Sequence, residues 1–126
     1  MTLSIEVVVS ENTTKKEKGN LLEVLGCEIL EAMQYEVIDE VRITGIEVDL
    51  LARHKVNGEE IYVECKAHKD PLSGEVITKL LGNVTLKGVA SGWLFSTGPL
   101  GKDAKGIKEE WEKKRPEDKR ILQMSF

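Results

Sequence analysis

Asp49 in the run IEVDLLARH, with Glu64 and Lys66 in the run IYVECKAH, are the residues whose types and spacing suit hard-cation chemistry. Residues 46–54 read as a strand, and so does 61–68, where apolar and polar side chains alternate. Asn57-Gly58 between them is the strongest short hairpin signal a sequence offers. If those two residues form the whole turn, Asp49 faces Lys66 and Leu51 faces Glu64, and all three polar residues share one face. Directly opposed residues approach to about 5 Å and diagonal ones to about 7–8 Å, so the two carboxylates can converge on one ion. Mg²⁺ prefers a few carboxylates, waters and phosphate oxygens at about 2.0–2.1 Å. An ammonium beside such a site orients a water or stabilises developing charge. The same geometry equally describes a plain ion pair between Lys66 and Asp49, and at this point both readings stand.

The Glu-x-Lys spacing alone decides nothing, since it recurs at Glu112–Lys114 and Glu117–Lys119 in a charged, helix-like tail around Pro116. Only the first copy sits on a strand. Around it, LSIEVVVS (3–10) reads as a short strand. Leu22, Leu25, Ile29 and Met33 recur at helical spacing within 16–35 and predict one buried stripe. At about 100° per residue, Glu28 and Glu31 fall on the far side and Glu23 at the stripe's edge, close to a neighbouring sheet. EVIDEVRI (36–43) is β-like, with Thr44-Gly45 as a break before the hairpin. Ile77, Leu80, Leu81 and Val84 share a helical face within 74–88, and 89–97 is an apolar run expected to be a buried central strand. A helix over 102–114 turns Ala104, Ile107 and Trp111 inward, and RILQMSF closes the chain as a last strand. The order predicts an α/β fold with a mixed central sheet flanked by helices.

With 126 residues, the chain fits one domain, 1–126, with a single core. Hydrophobic residues make up 40% and charged ones 32%, which suits a globular chain. No apolar run approaches the roughly 20 residues that cross a bilayer, and the N-terminus lacks a secretory pattern, so membrane and export readings fall away. Two cysteines, one on a predicted helix and one on a predicted strand, fit a reducing, cytoplasmic compartment. The net charge of −4 argues against a polyanionic partner until its distribution is considered. Residues 1–64 carry 6 basic and 14 acidic side chains, whereas 65–108 carry 7 and 3. The basic share begins at Lys66 itself, which leaves room for a local cationic face.

NLLEVLGCEILEAMQYEV, TGIEVDLLAR, IYVECKAHKDPLSGEVITKLLG and GWLFSTGPLGKDAKG, in that order, resemble the restriction-endonuclease-like superfamily of PD-(D/E)xK nucleases. The likeness is to its Mrr-like branch, and more distantly to archaeal Holliday-junction resolvases, and runs from Gly19 to Gly106. It implies a restriction-endonuclease-like αβββαβ core. It implies metal-binding acids at Asp49 and Glu64, a further metal ligand in the backbone carbonyl of Cys65, a catalytic lysine at Lys66 and a first-helix glutamate at Glu23. Lys79 falls in a region where relatives contact substrate; His68, by strand parity on the Lys66 face, could meet a phosphate or be incidental. Where the family's aspartate often follows proline or glycine, Val48 stands here, with Gly45 further back.

The expected activity is therefore divalent-metal-dependent hydrolysis of DNA phosphodiesters, of restriction, repair or defence type. Mg²⁺ is the expected cofactor, with Mn²⁺ able to substitute. DNA is the expected partner, and relatives also form homodimers or join an NTPase or DNA-reading domain in the same or another chain. The competing expectation is a non-cleaving DNA- or protein-binding module on the same fold. Zinc is not indicated, because strand parity puts Cys65 and His68 on opposite faces. Nor is there a phosphate-cradling Gly-rich loop, since Ser96-Thr97-Gly98 lacks the following lysine.

Overall fold

The structure, a computed structural model, describes residues 15–44, 47–67, 70–114 and 121–125; the strand expected at 3–10 lies outside them. Eight elements follow one another: α1 (Lys15–Ala32), β1 (Tyr35–Thr44), β2 (Glu47–His54), β3 (Glu60–Lys66), α2 (Gly74–Lys87), β4 (Ser91–Ser96), α3 (Lys102–Lys114) and β5 (Ile121–Ser125). The strands form one mixed sheet in chain order. β1, β2 and β3 run antiparallel as a meander, and β4 and β5 add in parallel. This is the expected α/β architecture, with helices on both faces. Among the described residues no helix is long and apolar enough to cross a membrane.

Strand parity sorts the core into two layers. Leu50, Ala52, Ile61, Val63, Cys65, Trp93 and Phe95 pack under α1, whereas Tyr62 and Leu94 pack under α2 and α3. β3 is consequently buried on both faces, although its alternating sequence reads as half-exposed. Polar residues on the α2 side, Glu64 among them, are therefore interior residues.

On α1 the expected stripe is displaced. Leu22 and Leu30 are the buried positions, Leu25 and Ile29 are half-buried, and Met33 is exposed. Gly26 explains the displacement: a Cβ there would lie 3.1 Å from Phe95 and 3.3 Å from the Cys65 sulfur. The helix can rest its backbone on β3 and β4 along the line 22–26–30, which rotates Glu23 toward the sheet. α1 ends at Met33 and Gln34, where a positive φ of 69° at Gln34 turns the chain into β1.

The hairpin also differs from expectation. Asn57-Gly58 is not the whole turn: the loop spans 55–58, with the Gly58 amide donating to the His54 carbonyl at 2.9 Å and Gly58 at φ 74°. His54 Nδ1 accepts from the amides of Val56 and Asn57 at 3.2 and 3.3 Å and Asn57 Oδ1 from that of Glu59 at 2.8 Å, so side chains capture the Val56 and Glu59 donors that would have closed a two-residue turn. Tyr35 stacks edge-on against His54, and the Lys55 amide donates to the Gln34 carbonyl, which ties this loop to the end of α1.

α2 and α3 are coupled at their starts. Ser73 makes no side-chain cap; Asp103 of α3 instead accepts from the Gly74 amide at 3.0 Å. That hydrogen bond, the foremost cause, holds the Asp103 carboxyl below the usual aspartate range. The stabilisation is fully present above the ordinary aspartate pKa and is lost as pH falls through the lowered value in the folded protein. Urea unfolding across acidic pH should show this acid-side loss in wild type and less of it in Asp103→Asn. A second expectation concerns Gly92, where a Cβ would sit 2.8 Å from Val84 Cγ2. Val84 is fully buried and stiff, so Gly92→Ala should cost about 1–3 kcal/mol in urea unfolding, as overpacking does.

Candidate functional site

The four-residue loop slides the β2–β3 ladder by two residues from the expected register. Asp49 stands directly opposite Glu64, Leu51 opposite Tyr62, and Lys66 opposite Glu47. A slip of two preserves which face each residue occupies. The Asp49, Glu64 and Lys66 set therefore still shares one face, but the cross-strand partner of Lys66 is no longer Asp49. Two carboxylates instead oppose each other, the arrangement that destabilises a ladder. At the exposed end of the same ladder the pairing is favourable, with Arg53 opposite Glu60 and bridged to it at 3.2 Å.

Both acids are interior: Asp49 is 4% and Glu64 5% exposed. Tyr62 donates its hydroxyl to Asp49 Oδ2 at 2.7 Å. Asp49 Oδ1 is buried and receives no hydrogen bond, and Glu64 Oε2 is likewise shut off from solvent. An anionic oxygen held in the interior without a donor is costly unless a cation or proton meets it. Lys66 closes β3 half-buried, beside Ser96 on the parallel strand, and its carbonyl accepts from the Thr97 amide at 3.1 Å.

Cys65 turns its side chain away from this face into the α1 layer, fully buried. Burial first, then the neighbouring Cys27, Asp49, Glu23 and Glu64, pushes its thiol up, which makes it a core residue rather than a nucleophile. Glu23 lies on the α1 side of the sheet, half-buried. Its neighbour is Glu40 of β1, a residue that sequence reasoning missed. Two irregularities in the β1–β2 register, between Val37 and Asp39 and between Glu40 and Arg42, set Glu40 opposite Leu50 and so on the α1 face. No local sequence signal marks such bulges. Burial, then the charge of Glu40 and a hydrogen bond with it, raises the Glu23 carboxyl.

Lys79 is exposed on α2, where it bridges Glu75 one turn earlier at 3.2 Å, a pair worth little in solvent. His68 lies outside the described residues. Among the described residues no group of three or more His, Cys, Asp or Glu side chains is gathered around one point. The structure thus brings Asp49 and Glu64 together, sets Lys66 two residues beyond on the same face, and holds Glu23 in the opposite layer. Tyr62 is the polar neighbour of Asp49 to which sequence reasoning gave no role; its place on the Glu64 face was the available signal.

The Glu23 carboxyl has the opposite linkage sign from Asp103. A raised acid pKa in the folded state means that the cost is absent below the unfolded value and grows as pH rises through the folded one. In EDTA-treated protein, Glu40→Gln should therefore raise Tm more at pH 8 than at pH 4, read by thermal unfolding at both.

A family model described as Mrr_cat, restriction endonuclease, matches residues 14–115. No curated protein matches the chain. Among solved structures, the MspJI restriction endonuclease in complex with a 27-mer oligonucleotide is similar over 93% of this chain, with 12% identity and a TM-score of 0.40. This chain spans 33% of the length of that one.

Proposed function

The chain belongs to the Mrr_cat restriction endonuclease family, and from that premise we propose that it is a divalent-metal-dependent endonuclease that hydrolyses DNA phosphodiesters. The observation that carries the metal reading is the direct opposition of Asp49 and Glu64 on a buried rung, with Asp49 Oδ1 turned to no donor. A purely structural hairpin gains nothing from that pairing, whereas a hard cation needs it.

On this reading Asp49, Glu64 and the backbone carbonyl of Cys65 would hold Mg²⁺, or Mn²⁺ in its place. When bound, the ion supplies Lewis-acid polarisation of a phosphate oxygen and a more acidic water. The other steps fall to this chain's own groups. Lys66, with Glu47 rather than Asp49 across the ladder, directs its ammonium toward the attacking water and the charge that builds on the phosphate oxygens. Glu23 lies across the sheet in the α1 layer with Glu40 beside it, so as a metal ligand it would act at most through water. Lys79 and His68 contact the DNA backbone.

Plasmid and linear DNA incubated with Mg²⁺ or Mn²⁺ should be cut, and EDTA should stop the cutting. Asp49→Ala and Lys66→Ala should each lower the rate by roughly 10²–10³, the loss typical of removing one preorganised electrostatic group. Variants that cut as fast as wild type would sink the assignment. Wild type that binds DNA without cutting it would favour the non-cleaving module.

A further inference from the structure

The Asp49 carboxylate is divided between two surroundings. Oδ2 accepts the Tyr62 hydroxyl at 2.7 Å, and Oδ1 is buried with no donor. The bond is interior at both ends, with Tyr62 2% and Asp49 4% exposed. An O–H to carboxylate bond in such a place is charge-assisted and among the stronger side-chain hydrogen bonds. It exists because of the ladder register. Tyr62 stands opposite Leu51 and is therefore the diagonal neighbour of Asp49, the distance a long aromatic side chain spans along the strand. In the two-residue-turn register Tyr62 would lie one diagonal step further away.

The ring cannot swing away from this contact. It packs in the layer formed by Leu72, Val76, Ile77, Leu80 and Leu94 under α2. A hydroxyl on a ring held that firmly fixes the rotation of the carboxylate it binds. It also occupies one oxygen, so the carboxylate meets a cation through the other alone.

We propose that Tyr62 is a positioning residue for Asp49: its hydroxyl holds Oδ2 so that Oδ1 is presented to the metal ion. The inference rests on the metal reading of Asp49 above. It assigns to the β3 strand a third polar role, two residues before Glu64 on the same face, that touches neither metal nor DNA.

Tyr62→Phe keeps the ring and removes the hydroxyl. Mn²⁺ binding to the full chain, measured by calorimetry without DNA, should weaken by about 10- to 100-fold, as is typical when a partner orienting a metal ligand is lost. DNA cutting should be recovered in large part at saturating Mg²⁺. A Tyr62→Phe protein that unfolds at lower temperature yet binds Mn²⁺ within twofold of wild type has lost only a structural bond, and that result overturns the proposal. Wild type that binds no Mn²⁺ overturns the metal reading and the proposal together, so the two failures are distinct. Should Tyr62→Phe not fold, 3-fluorotyrosine can be placed at position 62 in a Tyr35→Phe background, because the chain holds only two tyrosines. Its single fluorine resonance should shift as Mg²⁺ is added and stay fixed in the same protein carrying Asp49→Asn. No shift at Mg²⁺ concentrations that saturate the site overturns the proposal.

Discussion

Two carboxylates facing each other across an interior rung of the β2–β3 ladder, Asp49 and Glu64, place a demand on everything around them. Such a pair survives folding only where the rest of the domain fixes the rung. The strands beneath it are buried from both sides, by α1 on one face and α2 with α3 on the other. Glycines let the helices lie close: Gly26 seats α1 on Phe95 and Cys65, and Gly92 admits Val84 and Leu80 of α2. The Tyr62 hydroxyl supplies one donor to the pair. What packing gains elsewhere offsets an unfavourable contact at one place, the usual relation between a scaffold and a reactive site.

The register that creates this contact is decided at the far end of the hairpin. His54 holds the loop amides, Tyr35 holds the His54 ring, and the ring of Trp93 lies edge-on to Tyr35 at 5.0 Å. A chain of aromatic contacts from β4 through β1 thus reaches the loop that sets which acids meet. The site is a product of the whole meander and not of the motif alone.

Much of this was legible in the chain. Hydrophobic periodicity located the helices and strands of the described residues, because their apolar faces are large and regular. Strand parity put Asp49, Glu64 and Lys66 on one face, and it survived a wrong register because the slip was an even number. Three things were not legible, each for a physical reason. The Asn57-Gly58 signal marks a turn but does not count its residues, and the capture of two amides by His54 lengthened the loop. Alternation in β3 signals two unlike faces, yet α2 covers the polar one as well. The neighbourhood of Glu23 depends on register irregularities in β1, which arise from pairing with β2 and leave no mark in the run EVIDEVRI.

Those irregularities have a further effect on how copies of this protein meet in a concentrated solution. Among the described residues β1 is the outermost strand of the meander, and Val37 and Ile38 on it are more than a third exposed. A straight strand with that composition would template pairing with another chain. Interrupted twice along its length, β1 offers no long, flat row of amides and carbonyls, and the acids Glu36, Asp39 and Glu40 repel a like strand. The distortion that brings an acid to the α1 layer also guards this edge of the sheet against runaway association.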